Sequence, residues 1–146
     1  MTLHSGIHGG CCWALLSGRI EDADVTGFVA HIRGVTTIQA PDPVVLDLAY
    51  SVSLPNPMQR KQIVDVVASL KGKHRIAGHA VVTNTAVARG VLQAVNWFVT
   101  PAWPEKVFRT PREATTWLQT LSPELDVDGL FTEIERAAPG FRGRRW

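Results

Sequence analysis

Cysteine is nearly missing from this chain. Cys11 and Cys12 are its two cysteines, and they are adjacent. That is too few for a disulfide framework, so a reducing cytoplasm is the expected compartment. Long apolar runs are missing as well. No stretch approaches the length of a membrane helix, so no integral membrane segment is expected. The first residues lack the basic and then apolar pattern of a secretory signal. Charge of one sign is also scarce: 15 basic and 13 acidic residues leave a net +2, which is no footprint for nucleic acid. The phosphate-cradling patterns GxGxxG and GxxxxGK are absent, as is the nucleophile elbow GxSxG. No carboxylate pair stands out for acid–base chemistry.

What is present suits one folded unit. The chain has 146 residues, 45% of them hydrophobic and 19% charged. That bounds a single domain with one core. The polar shell is thin, as in proteins that keep a surface for a partner.

The opening "MTLHSGIHGG" has no periodicity and reads as a flexible lead-in over residues 1–10. "CCWALLSGRI" predicts a strand ending near Gly18. Acidic residues in "EDAD" favour a helix start, and Val25, Phe28, Val29 and Ile32 follow a one-sided helical spacing. "APDPVVLDLAY" predicts a strand buried on both faces. Asn56 caps the next helix and Pro57 suits its first position, with Ile63, Val66, Val67 and Leu70 as its stripe. "RIAGHAVVT" is another strand, and "TAVARGVLQAVNWF" a helix with Val87, Val91, Ala94, Val95 and Phe98 on its inner face. "KVFR" is a short strand. Thr110 and Glu113 form a capping box around Pro111, and Ser122 and Pro123 are expected to start a last helix. Strands alternating with helices imply an open, mostly parallel sheet.

Four segments carry a resemblance: "VVLDLAY", "NPMQRKQIVDVVASLKGKHRIAGHAVVTN", "RGVLQAVNWF" and "KVFRTPREATTWL". Together they resemble the STAS-like domains related to bacterial anti-sigma-factor antagonists, in an uncharacterised branch. The resemblance implies an α/β fold with a four- or five-stranded mixed, mostly parallel sheet flanked by helices, plus an extra C-terminal helix. The expected layout is the lead-in, a STAS-like domain over 11–121, a helix over 122–138 and a basic tail over 139–146. The tail carries Arg142, Arg144 and Arg145 and reads as frayed or as a docking segment.

The family's antagonists carry a phosphorylatable serine where the helix opens after a "DLS" strand. Here Asn56 and Pro57 open it, and Ser53, a few residues earlier, is the phosphorylation candidate. Proline at that position removes one of the free backbone N–H groups that would hold a phosphate.

Candidate sites each have a plain structural alternative. His4, His8, Cys11 and Cys12 have the side chains of a zinc site but the wrong spacing, since adjacent cysteines in a strand face opposite sides; no metal and no cofactor is expected. Asp47 interrupts an apolar strand, which is costly unless it is paired. It is expected either to bind a ligand at the carboxyl end of the sheet or, as an edge-facing acid, to cap a nearby turn or pair with Arg89 or Arg60. Asn84 and Thr85 can cap the helix after "VVTNT", or with Arg89 hold an anion. His79, mid-strand, is expected to be a hydrogen-bonded core or edge residue, and His31 and His74 to be solvated. The aromatic loop with Trp97 and Trp103 is either a lid over the core or a docking patch.

The favoured function is a non-enzymatic regulatory or scaffold module. It would bind another protein through Asn56, Arg60, Trp97 and Trp103, and the resemblance implies a kinase or signalling regulator as the partner. The alternatives are a small-molecule or anion-binding protein or enzyme using Asp47, Asn84, Thr85 and Arg89, and a homo-oligomeric structural protein.

Overall fold

The computed structural model describes residues 2–70, 75–90 and 103–146. The elements are β1 (Thr2–His8), β2 (Cys11–Ser17), α1 (Asp22–Gly34), β3 (Val44–Tyr50), α2 (Pro57–Leu70), β4 (Gly78–Thr83), β5 (Glu105–Phe108), and two further helices at Pro111–Leu121 and Val127–Ala137. A helix α3 begins at 86 and is described through 90; the last two helices are therefore α4 and α5. The five strands lie in chain order, β1 antiparallel to β2 and the rest parallel. This mixed, mostly parallel sheet with flanking helices is the α/β architecture the sequence predicts.

Strand alternation divides the interior in two. Cys11, Trp13, Leu15, Val44, Leu46, Leu48, Ala80 and Val82 face α4 and α5, where they meet Leu118, Leu130, Phe131 and Ile134 in the larger core. The opposite set, Cys12, Val45 and their strand mates, faces α1 and α2 and forms a smaller cluster with Val35 and Ile76. Side chains at successive strand positions point to opposite faces, so Asp47 and His79 belong to this second face.

Of the lead-in expected over 1–10, the described residues 2–10 are not loose. Thr2–His8 is a full edge strand, paired with β2 along its whole length from Thr2↔Ser17 to His8↔Cys11. It escapes sequence detection because it buries little of its own. Its contribution is to lie against Trp13: a Cβ on Gly6 would stand 3.0 Å from the indole nitrogen, so the glycine lets the two strands' backbone approach the ring closely. The turn back passes through Gly9 at φ +57°.

The basic tail is not frayed either. Phe141 is buried, Glu135 accepts hydrogen bonds from the backbone N–H groups of Gly140 and Arg142, and Trp146 packs edge-on against Tyr50. The last helix starts at Val127, capped by Asp126 through the N–H of Gly129, and not at Ser122. Thr110 caps α4 as expected. Val87, expected on the inner stripe of α3, is exposed. No helix among the described residues is long and apolar enough to cross a membrane.

Candidate functional site

Between the second face of the sheet and helices α1 and α2 lies a cavity of about 390 Å³. Its walls are mostly apolar: Val25, Phe28 and Ile32 from α1, Ile63, Val67 and Leu70 from α2, and Val45, Ala49 and Val81 from the sheet. The amphipathic spacing of both helices explains this, since each turns its stripe toward the strands. Gln59 ties the two helices together by donating to Asp22 Oδ1 at 2.9 Å.

A connected row of polar groups interrupts that lining. Asp47 stands at the middle of β3, beside Val81 of β4. His79 Nε2 lies 2.6 Å from Asp47 Oδ2, and His31 of α1 places its Nε2 3.2 Å from Oδ1. Beyond His79, its Nδ1 is 3.0 Å from Glu105 Oε1. Beyond His31, its Nδ1 is 3.8 Å from the sulfur of Cys12. The result is an unbroken chain, Cys12–His31–Asp47–His79–Glu105, running across the sheet under the cavity.

The chain fixes its own charges. Burial alone would push both imidazoles toward neutrality, but the hydrogen bonds and charge of Asp47 prevail, aided at His79 by Glu105 and at His31 by Cys12, and each pKa is raised to about 10. Burial likewise disfavours the Asp47 carboxylate, yet the two imidazoles hold it well below the usual carboxylate range. At neutral pH the chain therefore reads cation, anion, cation, with Glu105 at the end. Cys11, on the other face, is pushed up by burial and the neighbouring Cys12 and remains a buried thiol.

The sequence candidates fall as follows. Asp47 lies on the cavity, but its partners are His31 and His79, not Arg89 or Arg60. His31 is buried, not solvated; His74 lies outside the described residues. Asn84 ties the ends of β3 and β4 together, accepting from the N–H of Ser51 at 2.7 Å and donating to its hydroxyl. Thr85 caps α3 through the N–H of Ala88, and Arg89 donates to the Thr83 carbonyl at 2.8 Å. Asn84, Thr85 and Arg89 thus secure a corner beyond the end of β4, and Asp47, mid-strand, does not join them. Asn56 forms a reciprocal cap with Gln59. Arg60 and Trp103 border the cavity, and Trp103 also packs beside Ile38 on the smaller cluster. Trp97 lies outside the described residues. Ser53 borders the cavity, and its hydroxyl accepts from the N–H of Ile20 at 2.9 Å.

The side chains of the alternative zinc set are divided by the sheet. Cys11 and Cys12 face opposite sides, and His8 pairs with Asp126, the cap of α5, at 3.3 Å and with Glu133 of α5 at 3.7 Å. Among the described residues no group of three or more His, Cys, Asp or Glu can hold a metal ion. What the sequence reading missed are His31 and His79 as partners of Asp47. The signal was present: His31 lies three residues after Phe28 on the inner stripe of α1, and His79 interrupts a strand as apolar as the one Asp47 interrupts.

The structure is similar to that of an uncharacterized protein of the DUF3478 family with a SpoIIAA-like fold from Shewanella loihica PV-4. The identity is 15%, the match covers 80% of this chain and 92% of that one, and the TM-score is 0.47. No family model matches the chain, and no curated protein does.

Proposed function

We propose that the protein binds a small, mostly apolar molecule in the cavity between α1, α2 and the sheet. One observation carries this reading: a mostly apolar space of about 390 Å³ has a connected polar row, His31–Asp47–His79–Glu105, along its floor. Ligand sites have this constitution, an apolar wall that supplies affinity and a few placed polar groups that orient the ligand, within volumes of roughly 300–1,000 Å³.

Binding is favoured over bond-making by where the sulfur lies. Cys12, His31 and Asp47 have the residue types of a nucleophile, base and orienting acid. Cys12, however, is 2% exposed and packed with Val35, Val45 and Ile76, on the far side of the imidazole. A molecule in the cavity meets His31 and Asp47, which border it, before it meets the thiol.

The test uses Nile red, an apolar dye that brightens on leaving water. The wild type is expected to bind it saturably. Ala49→Phe places a ring in the cavity and is expected to weaken binding at least about tenfold while Tm is unchanged or higher. Equal dye binding by a folded Ala49→Phe variant would remove the cavity from consideration.

A second reading, a regulatory module that docks another protein on α2, has its own support. Leu54 and Met58 are large apolar residues exposed at 49% and 75% where α2 begins, beside Arg60. Met58 does not border the cavity. Met58→Asp is therefore expected to leave Nile red binding intact under the first reading, and to abolish association with a protein partner under the second.

A further inference from the structure

The polar floor has a direction. In the chain Cys12–His31–Asp47–His79–Glu105, both nitrogens of each imidazole already face a partner. His31 meets Asp47 Oδ1 and the Cys12 sulfur. His79 meets Asp47 Oδ2 and Glu105 Oε1. The row has no imidazole N–H left to offer a ligand. The carboxylates are in the opposite position: an ionised carboxylate has about four lone-pair sites, and Asp47 has accepted one imidazole on each oxygen. Asp47 borders the cavity with 9% of its side chain exposed, and Glu105 with 19%. The floor therefore presents acceptors and no ring donors.

Charge narrows the choice further. Two imidazoliums and two carboxylates alternate and cancel. A carboxylate ligand brought onto this row would add a negative charge facing acceptors. An ammonium would add an uncompensated positive charge to a neutral, buried row, which is costly. A hydroxyl donates a hydrogen bond and adds no charge.

Resting on the cavity reading above, we infer that the site selects a neutral alcohol: an apolar molecule ending in a hydroxyl that donates to Asp47. His31 and His79 are positioning residues in this arrangement. They hold the carboxylate ionised and fixed, and they use up the donors that would otherwise bind an acid. The other donors on the wall are the Thr83 and Ser53 hydroxyls, Arg60 and the indole N–H of Trp103. Thr83 is two positions further along β4 than Val81, the partner of Asp47. Ser53 and Arg60 are on exposed positions outside the sheet.

The experiment is displacement of Nile red at pH 7 by four molecules with the same ten-carbon chain: decanol, decyl methyl ether, decanoate and decylammonium. Decanol is expected to compete about tenfold or more better than the ether, the cost of leaving a desolvated charged acceptor without its donor. It is also expected to exceed both ions. In Asp47→Asn, whose amide offers a donor, decanol is expected to lose that advantage over the ether. If Asp47→Asn does not fold, the wild-type series decides alone.

Equal displacement by decanol and its ether would overturn the inference while leaving the cavity reading standing. Decanoate as the strongest competitor would overturn it in favour of an acid held at Arg60, and decylammonium as the strongest would overturn the neutral assignment. Failure of Nile red itself to bind would take away the cavity reading and this one together.

Discussion

Asp47 Oδ2 and His79 Nε2 lie 2.6 Å apart, between two parallel strands. The contact joins neighbours in the sheet, and His31 closes the other side from a helix. A single carboxylate thus links α1, β3 and β4. Buried ionic groups are costly to leave unpaired, and their pairing demands one register and one helix position. The same row also gives the cavity its polar floor.

Removing the centre of that row is expected to cost far more than removing all of it. Asp47→Ala leaves two imidazoles buried without their common anion and is expected to destabilise by about 3–5 kcal/mol in urea unfolding. The triple variant Asp47→Leu, His31→Leu, His79→Leu replaces the charges with apolar volume and is expected to recover most of that loss. A triple variant less stable than Asp47→Ala alone would show that the ionic row stabilises beyond its own desolvation.

Stability is expected to fall as pH rises from about neutral into the alkaline range. His31 and His79 titrate near 6.5 when unfolded and near 10 when folded. Between those values the folded state holds protons the unfolded state has released. Their contribution is complete below pH 6.5 and is lost progressively toward pH 10, by at most about 1.4 kcal/mol per pH unit for each imidazole. Asp47 acts in the other direction. Its folded pKa is depressed, so its contribution is present above the ordinary carboxylate range and is lost as pH falls below it. Tm measured by circular dichroism is therefore expected to be highest between about pH 4.5 and 6.5. A Tm that rises from pH 6.5 to 9 would contradict the charged assignment of both histidines.

Much of this was legible in the sequence, and the rest failed for identifiable reasons. "VVLDLAY" announced a buried strand with a misplaced acid, and Thr110, Pro111 and Glu113 announced α4. Periodicity tells which face a residue takes on its own element, but not the register between elements. Asp47 therefore gave notice of a partner without naming His79, which meets it only because Asp47 sits beside Val81. Arginine is the usual guess for a buried carboxylate, and two imidazoles from different elements leave no local pattern. β1 failed for a different reason: an edge strand whose role is to cover Trp13 with a glycine carries no apolar alternation of its own.

That edge strand supplies a direct test. Deleting residues 2–8 leaves β2, with Cys11 to Leu16 all buried, as the new edge. Seven paired positions disappear, and an unprotected apolar edge invites association. The truncated chain is expected to lose on the order of 3 kcal/mol, a fall in Tm of about 10 °C at this chain length, and to elute as larger species in gel filtration. Unchanged Tm and elution would restore the flexible lead-in expected from the sequence.

Gly78 tests how tightly the two faces of β4 are coupled. It opens the strand that carries His79, and a Cβ there would stand 2.3 Å from Leu121 Cδ1 and 3.3 Å from the Trp117 ring of α4. The leucine methyl is the end of a flexible side chain, so the helix need not be expelled; the side chain must turn. Gly78→Ala is expected to destabilise by about 1–3 kcal/mol through overpacking. Leu121→Ala alone is also expected to destabilise, because it removes a side chain packed against the strand at Gly78. Together the two changes are complementary in volume, so the double variant is expected to be more stable than the sum of the single losses by at least about 0.5 kcal/mol. Strict additivity would mean that α4 shifts away from the strand. In that case the position of His79, one residue along, would be set by Asp47 and Glu105 and not by the helix behind it.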